Sequence, residues 1–300
     1  MRMCRTVLIA GMAAATAGAL TLSVGSAATT TAATTRAVPH AASHASAQYL
    51  AKARTSLIRY LRSSRPLIAR VQPGNPDLPA GASTQSASYN WSGYADATTT
   101  AGTFSQVSGR WRMPAVACTR EQTLAAQWVG LDGFNNTTVE QDGTLAYCFE
   151  GTATYYTWWE MYPAVAIEAV GETVQPGDVI SASVKRSGTS YQLSVTDYTH
   201  QANSFSATQI CAASTCLDTS AEWIQERPAF SIGIAPLADY FSWLLTGATE
   251  TANGRTGTIS SFAPNYSVNM VDATDTYQLS APSPLFARGA AFSTRWLNSY

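Results

Sequence analysis

Three hundred residues with 46% apolar content can build a packed core, which excludes a chain disordered throughout. The net charge of −1 hides a division: residues 1 to 80 carry nine of the 18 Lys and Arg but one acid, Asp77, whereas residues 81 to 300 carry the other nine bases and 18 acids. A lightly charged, acidic body excludes a nucleic-acid partner, whose phosphates require a basic face.

The chain opens with the features of an export signal: Arg2 and Arg5, an apolar run from Val7 to Val24, then Gly25-Ser26-Ala27. Residues 1–27 are therefore expected to be a signal peptide that directs the protein to the extracellular space. A membrane anchor is the competing reading, but the run is mostly Ala, Gly and Thr, and no later stretch is apolar enough to span. Removal of the signal takes Cys4 with it and leaves Cys118, Cys148, Cys211 and Cys216. An even count in an exported protein favours disulfides, and closeness in sequence favours Cys118 with Cys148 and Cys211 with Cys216 among three connectivities. A zinc site lacks partners, since His40 and His44 lie in the leader and only His200 in the body. No metal or other cofactor is called for.

Residues 28–85 are expected to form a pro-segment and linker. Up to about residue 45 they are Ala, Thr and Ser, a composition that buries too little to fold. From Ser46 to Arg65, Leu50, Leu57, Ile58 and Leu61 recur at helical spacing with Lys52, Arg54, Arg59 and Arg62 between them, until Pro73, Gly74, Pro76, Pro79 and Gly81 break the pattern. A basic amphipathic helix set off from an acidic body suits a pro-segment that docks on that body as its inhibitor; a solvated linker helix is the plainer alternative.

Residues 86–300 change to short β-branched and aromatic runs: Tyr89 to Ala95, Phe104 to Trp111, Ala126 to Leu131, Tyr155 to Tyr162, Val179 to Lys185, Tyr191 to Asp197, Ala221 to Gln225 and Ala291 to Trp296. Pro176-Gly177-Asp178 and Arg186-Ser187-Gly188 are turns. So many short strands without alternating helices predict an all-β, antiparallel β-sandwich of two large sheets in a single mature domain.

The usual nucleophiles are poorly supplied. A serine triad would depend on His200 in a polar loop, no Gly-x-Ser-x-Gly occurs, and paired cysteines leave no free thiol. What remains are carboxylates and amides among aromatics. In Tyr156-Thr157-Trp158-Trp159-Glu160-Met161-Tyr162, period two puts Tyr156, Trp158, Glu160 and Tyr162 on one face, the lining of a groove that grips an extended polymer. In Ala221-Glu222-Trp223-Ile224, Glu222 faces away from Trp223. In Trp128-Val129-Gly130-Leu131-Asp132-Gly133, Trp128, Gly130 and Asp132 share a face, and a hairpin would return Gln141 beside them. Asn90, Asn135, Asn136 and Asn265 stand in Asn-x-Ser/Thr triplets that permit glycans.

Together with Asn90-Trp91-Ser92-Gly93-Tyr94 and Trp158-Trp159-Glu160-Met161-Tyr162-Pro163, these segments resemble the glutamic peptidases, the eqolisin family of pepstatin-insensitive acid endopeptidases, from about Tyr89 to Trp296. The resemblance implies a lectin-like sandwich, of the concanavalin A kind, with a groove on its concave face, polypeptide substrates and a monomer without cofactor. It places Glu222 and Gln141 on the catalytic dyad, Trp128, Trp158, Glu160 and Tyr162 on the substrate groove and Asp132 on a supporting carboxylate. Asp142 beside the Gln, and Trp159 where Tyr is usual, depart from the family, and Asp142 bears on the pH response. A glycoside hydrolase using Glu160 and Glu222, or a carbohydrate-binding module using the aromatics alone, would explain the tryptophans but not Gln141.

Overall fold

The structure, a computed structural model, describes residues 46–62, 83–171, 173–212, 214–230, 233–262 and 264–299. The expected signal at 1–27, the spacer up to residue 45 and the breakers between 73 and 81 lie outside the described residues. Helix α1 (Ala47–Arg62) falls where the apolar spacing predicts one. Its buried stripe is Ala53, Leu57 and Leu61, each four residues on from the last, while Leu50 is exposed. The strict four-residue step, rather than the sum of Leu and Ile positions, decides which face packs.

In chain order the strands are β1 (Thr84–Ser88), β2 (Trp91–Ala97), β3 (Phe104–Arg112), β4 (Thr123–Leu131), β5 (Val139–Phe149), β6 (Thr152–Tyr162), β7 (Val165–Ala169), β8 (Val179–Ser187) and β9 (Ser190–Asp197). They continue with β10 (Phe205–Ile210), β11 (Ser220–Glu226), β12 (Ala229–Phe230), β13 (Gly233–Ile234), β14 (Ser242–Ala252), β15 (Arg255–Gly257), β16 (Asn265–Val271), β17 (Gln278–Pro282) and β18 (Phe292–Trp296). One hydrogen-bonded path runs β10-β9-β8-β3-β14-β18-β17-β16-β2-β11-β4-β5-β6-β7, antiparallel throughout, with β1 added in parallel to β16. The path doubles back at β17, so that β3, β8 and β9 pack face to face on β4, β5 and β11. The result is the antiparallel sandwich: a front sheet from β16 to β7 and a back sheet from β10 to β18.

Between the sheets lies a core in which Val129, Leu131 and Trp223 of the front meet Val107, Trp111, Ile180, Leu193 and Trp243 of the back. Tryptophan N–H groups pin the layers: Trp223 Nε1 donates to the Ser108 carbonyl at 2.8 Å and Trp111 Nε1 to Thr144 Oγ1 at 3.1 Å. A buried indole N–H without such an acceptor would cost the sandwich a desolvated donor. Disulfides join Cys118 to Cys148, tying the approach to β4 to the end of β5, and Cys211 to Cys216, closing the turn after β10.

The front sheet is unusual in being buried on both faces: every residue of β2, β4, β5 and β11 is buried. Its outer face carries a second apolar cluster, Trp91, Trp128, Leu145, Tyr156, Trp158 and Ile224, and Leu57 and Leu61 of α1 pack into it. Burying each of these leucines stabilises docking of the helix by roughly 1.5–3 kcal/mol. The described residues all belong to one compact unit, Ala45–Tyr300. Asn90 and Asn265 are buried, and Asn90 Nδ2 donates to Glu226 Oε1 at 3.0 Å, so neither amide is open to a glycan.

Candidate active site

The site is set by register. Across the front sheet, Glu222 of β11 stands opposite Gly130 of β4, Gly130 opposite Gln141 of β5, and Gln141 opposite Glu160 of β6. Residues directly opposite share a face, so Glu222, Gln141 and Glu160 project together from the outer face. Trp223 and Ile224 follow the alternation, with Trp223 between the sheets and Ile224 in the outer cluster. Glu222 and Gln141 are two strand spacings apart, roughly 9–10 Å between backbones. Only a glycine lies between them. A Cβ on Gly130 would come to 2.9 Å from the Trp128 ring and 3.2 Å from Gln141 Cβ. Gly143 performs the same service one row along, where a Cβ would meet the Gln127 carbonyl at 2.0 Å and the Trp128 backbone at 2.7 Å.

Gln141 Nε2 donates to Glu160 Oε2 at 2.7 Å, while Gln141 Oε1 has no partner among the described residues. Glu222 is fully buried and neither of its oxygens has a partner at hydrogen-bond geometry. Burial drives its carboxyl well above the ordinary carboxylate range; the Ser220 hydroxyl and the Phe134 amide oppose this in part, and the charge of Asp132 adds to it. The Phe134 and Tyr266 rings, 4.8 Å apart, flank this end of the row. Glu160 is pushed up to about 8, by burial first and by nearby Glu226, against the hydrogen bond from Gln141.

Glu226 is a third carboxyl on this face. It is four residues from Glu222, which by the alternation of a strand returns it to the same side. Trp128 Nε1 donates to its Oε2 at 2.7 Å and Asn90 Nδ2 to its Oε1, and burial raises it to about 7. The sequence reading singled out Glu222 and passed over Glu226, although the i, i+4 parity was there to be used. Trp128 is thereby fixed by a carboxyl, and Trp158 stands directly opposite Gly143 on the same face. Tyr162 is partly buried against this cluster.

Asp132 lies elsewhere. It follows the last residue of β4 with φ of 65°, and its carboxylate accepts from the amides of Asp218 at 2.7 Å and Thr219 at 2.8 Å and from Asn136 Nδ2 at 2.7 Å. It ties the β4–β5 loop to the start of β11, close enough for its charge to act on Glu222. Asp142 points the other way from Gln141, into the inter-sheet core between Val129 and Trp159. Glu160 and Glu222 have Gln141 and Gly130 between them and do not face each other as a pair.

Among the described residues α1 closes the face. Leu61 joins Gln141, Leu145, Trp158, Glu160 and Glu226 around a cavity of about 30 Å³. Further along the helix, Lys52 Nζ meets Glu150 Oε1 at 2.6 Å, Ser56 Oγ lies 3.0 Å from the Tyr147 hydroxyl, and the Tyr49 hydroxyl donates to the Phe149 carbonyl.

A family model described as the peptidase A4 family matches residues 89–281, which takes in every residue of the row. Aspergillopepsin-2 of Aspergillus niger is 30% identical over 144 residues, 45% of this chain and 49% of that protein, so the chain spans about half the length of this curated relative. Scytalido-glutamic peptidase, solved with a transition state analog inhibitor, superposes with a TM-score of 0.58 at 24% identity, covering 70% of this chain and 98% of that one. Aspergilloglutamic peptidase of Aspergillus niger superposes at 0.50, with 24% identity over 58% and 99% of the two chains. At this identity the likeness of structures speaks for the fold.

Proposed function

The chain belongs to the peptidase A4 family, the glutamic peptidases, and from that membership we propose that it is an exported acid endopeptidase in which Glu222 and Gln141 hydrolyse peptide bonds without a covalent intermediate. The observation that carries the proposal is the row Glu222–Gly130–Gln141, an acid and an amide on one face with only a glycine between them. The water and the carbonyl it attacks would lie between Glu222 and Gln141, against the Trp128 ring that packs over Gly130. Glu222, once ionised, takes the proton of that water and later returns it to the leaving nitrogen. The unpartnered Oε1 of Gln141 accepts the other water hydrogen. Of the two hydrogens on Nε2, one is held by Glu160 and the second is left for the developing oxyanion. Gln141 cannot ionise, so its own part in the reaction needs no change of protonation.

One block acts while α1 is docked: Leu61 covers the Gln141 end of the row. Burial holds Glu222 above the ordinary carboxylate range, and opening of the row to water lets it fall toward the ordinary Glu value of about 4.3, which matches it to an acidic medium. We therefore take residues 28–85 as an inhibitory pro-segment, residues 1–27 as the export signal, and the enzyme as a monomer, since the row is complete within one chain. The Lys52–Glu150 ion pair holds the helix to the body, and cleavage between residues 65 and 88 frees the groove.

The test is hydrolysis of denatured haemoglobin at pH 3 to 4, with pepstatin present, by the full chain after incubation in acid. Pepstatin-resistant cleavage that Glu222→Gln abolishes is the expected outcome. A precursor that stays intact and inactive for hours under these conditions would refute the zymogen reading, and cleavage that survives Glu222→Gln would refute the site.

A further inference from the structure

The cavity beside Gln141 bears on which peptide bond is cut. Its wall is built from Ala126, Leu145, Trp158, Ile167, Pro228 and Ala229, with Gln141, Glu160 and Glu226 as its polar members. Gln141 binds Glu160, and Glu226 accepts from both Trp128 and Asn90, so the carboxyls are turned to fixed donors in the wall and the rest of the lining is apolar. Into this space α1 lowers Leu61, which is 2% exposed, and about 30 Å³ remains around it, the room of a water or one further carbon.

Leu61 reaches the pocket from a helix. Its backbone is committed to i→i−4 hydrogen bonds and cannot lie as an extended strand across Gly130, so the side chain can be seated while no peptide bond is presented for attack. The pocket is thus seen filled by a side chain that the site holds and does not cut beside. Because Gln141 forms part of its wall, any substrate side chain entering it belongs to a residue flanking the scissile bond.

We infer that this cavity is the primary side-chain pocket of the enzyme and that it selects an unbranched or γ-branched aliphatic residue of about leucine size next to the scissile bond. The inference rests on the assignment of Gln141 and Glu222 as the dyad. Asp and Glu are disfavoured because the wall already holds the carboxyls of Glu160 and Glu226, and Lys and Arg because their charge would be buried in a mostly apolar lining whose two carboxyls are committed to Gln141, Trp128 and Asn90. Trp is disfavoured because the space beyond Leu61 is too small for an indole. Ala is a weaker substrate because it leaves the pocket unfilled.

The experiment maps every bond cut in denatured casein by the acid-activated full chain and compares matched peptides carrying Leu, Ala, Lys or Trp at the selected position. Leu or Met is expected at one flanking position in most cuts, with kcat/KM for Leu on the order of tenfold or more above Ala. Ala126→Leu, which fills the pocket, is expected to bring the Leu to Ala ratio down toward one. Leu145→Ala, which deepens it, is expected to raise cleavage beside Phe or Trp. Circular dichroism at pH 4 confirms that each variant folds. Cuts with no aliphatic preference by an enzyme that Glu222→Gln silences would overturn the pocket and leave the dyad standing. Cuts that persist in Glu222→Gln, or no cuts at all, would remove both.

Discussion

Replacing Asp142 by Asn tests how this fold depends on acidity. Asp142 lies wholly inside the sandwich, opposite Val129 on one strand and Trp159 on the other, and its two oxygens have no partner at hydrogen-bond geometry. Burial raises its pKa well above the ordinary Asp value, and the Ser183 and Ser194 amides of the back sheet offset only part of that. The folded protein therefore binds a proton at Asp142 that the unfolded chain, with a pKa of about 3.9, releases as pH rises. Stability from this group is fully present below about pH 3.9 and is lost as pH climbs toward the raised folded value. Between those two pKa values each pH unit costs at most about 1.4 kcal/mol. Asn mimics the protonated acid and has no proton to lose. In an inactive Glu222→Gln background, which prevents self-digestion, urea unfolding at pH 3.5 should find Asp142→Asn within about 1 kcal/mol of its parent. As pH rises above about 3.9 it should gain on its parent steadily, by up to about 1.4 kcal/mol per pH unit, each kcal/mol being worth roughly 2–4 °C in Tm. A difference between the two proteins that does not change with pH would refute the reasoning.

The same sign applies to Glu140, Glu160, Glu222 and Glu226, all raised by burial. The whole protein is therefore expected to lose its cooperative thermal transition between pH 5 and 7 while keeping it at pH 3 to 4, as calorimetry would report. Gly130→Ala should cost about 1–3 kcal/mol, because its Cβ meets the Trp128 ring at 2.9 Å, and should abolish cleavage by displacing that ring and Gln141, whose Cβ lies 3.2 Å away; unfolding curves and peptide assays check the two effects. Opening the Cys118–Cys148 bridge, which spans 30 residues, should cost about 3.6 kcal/mol, against about 2 kcal/mol for Cys211–Cys216, which spans five; paired Cys→Ser variants in denaturant compare them. Glu160→Gln should keep most activity and leave the acid limb of the pH profile in place, since Glu160 is already protonated there, whereas Glu160→Leu should lower kcat by freeing the Gln141 amide to rotate.

Much of the sandwich was legible because half-buried strands alternate. β8, β9 and, from Val107 on, β3 alternate between more and less buried residues, and their limits match the expected runs to within two residues. β14 was missed: Gly247, with φ of 60°, interrupts its alternation where the register against β3 shifts. β5 was recognised only at its start, because Asp142-Gly143-Thr144 has the chemistry of a turn, yet these residues are buried in the middle of a sheet. β4 and β11 do not alternate at all, since α1 and the outer cluster cover the face that would otherwise meet water. The site was less legible. Nothing in spacing alone brings Gln141 beside Glu222, which lie on strands that are not neighbours; the resemblance supplied that pairing, and the register supplied Gly130 as the gap. Asp132 shares strand parity with Trp128, but its positive φ turns it away toward the Asp218 and Thr219 amides.

The central claim is that Glu222 and Gln141 act as one unit on one bond. The measurement is kcat/KM at pH 3.5 on a single Leu-containing peptide for the activated protein, Glu222→Gln, Gln141→Ala and the double variant, with matching circular dichroism spectra. Each single variant should lose on the order of 10²–10³ or more. The double should lose no more than the worse of the two, as groups acting together do. Either single variant within tenfold of the parent, or losses that multiply in the double, would contradict the account.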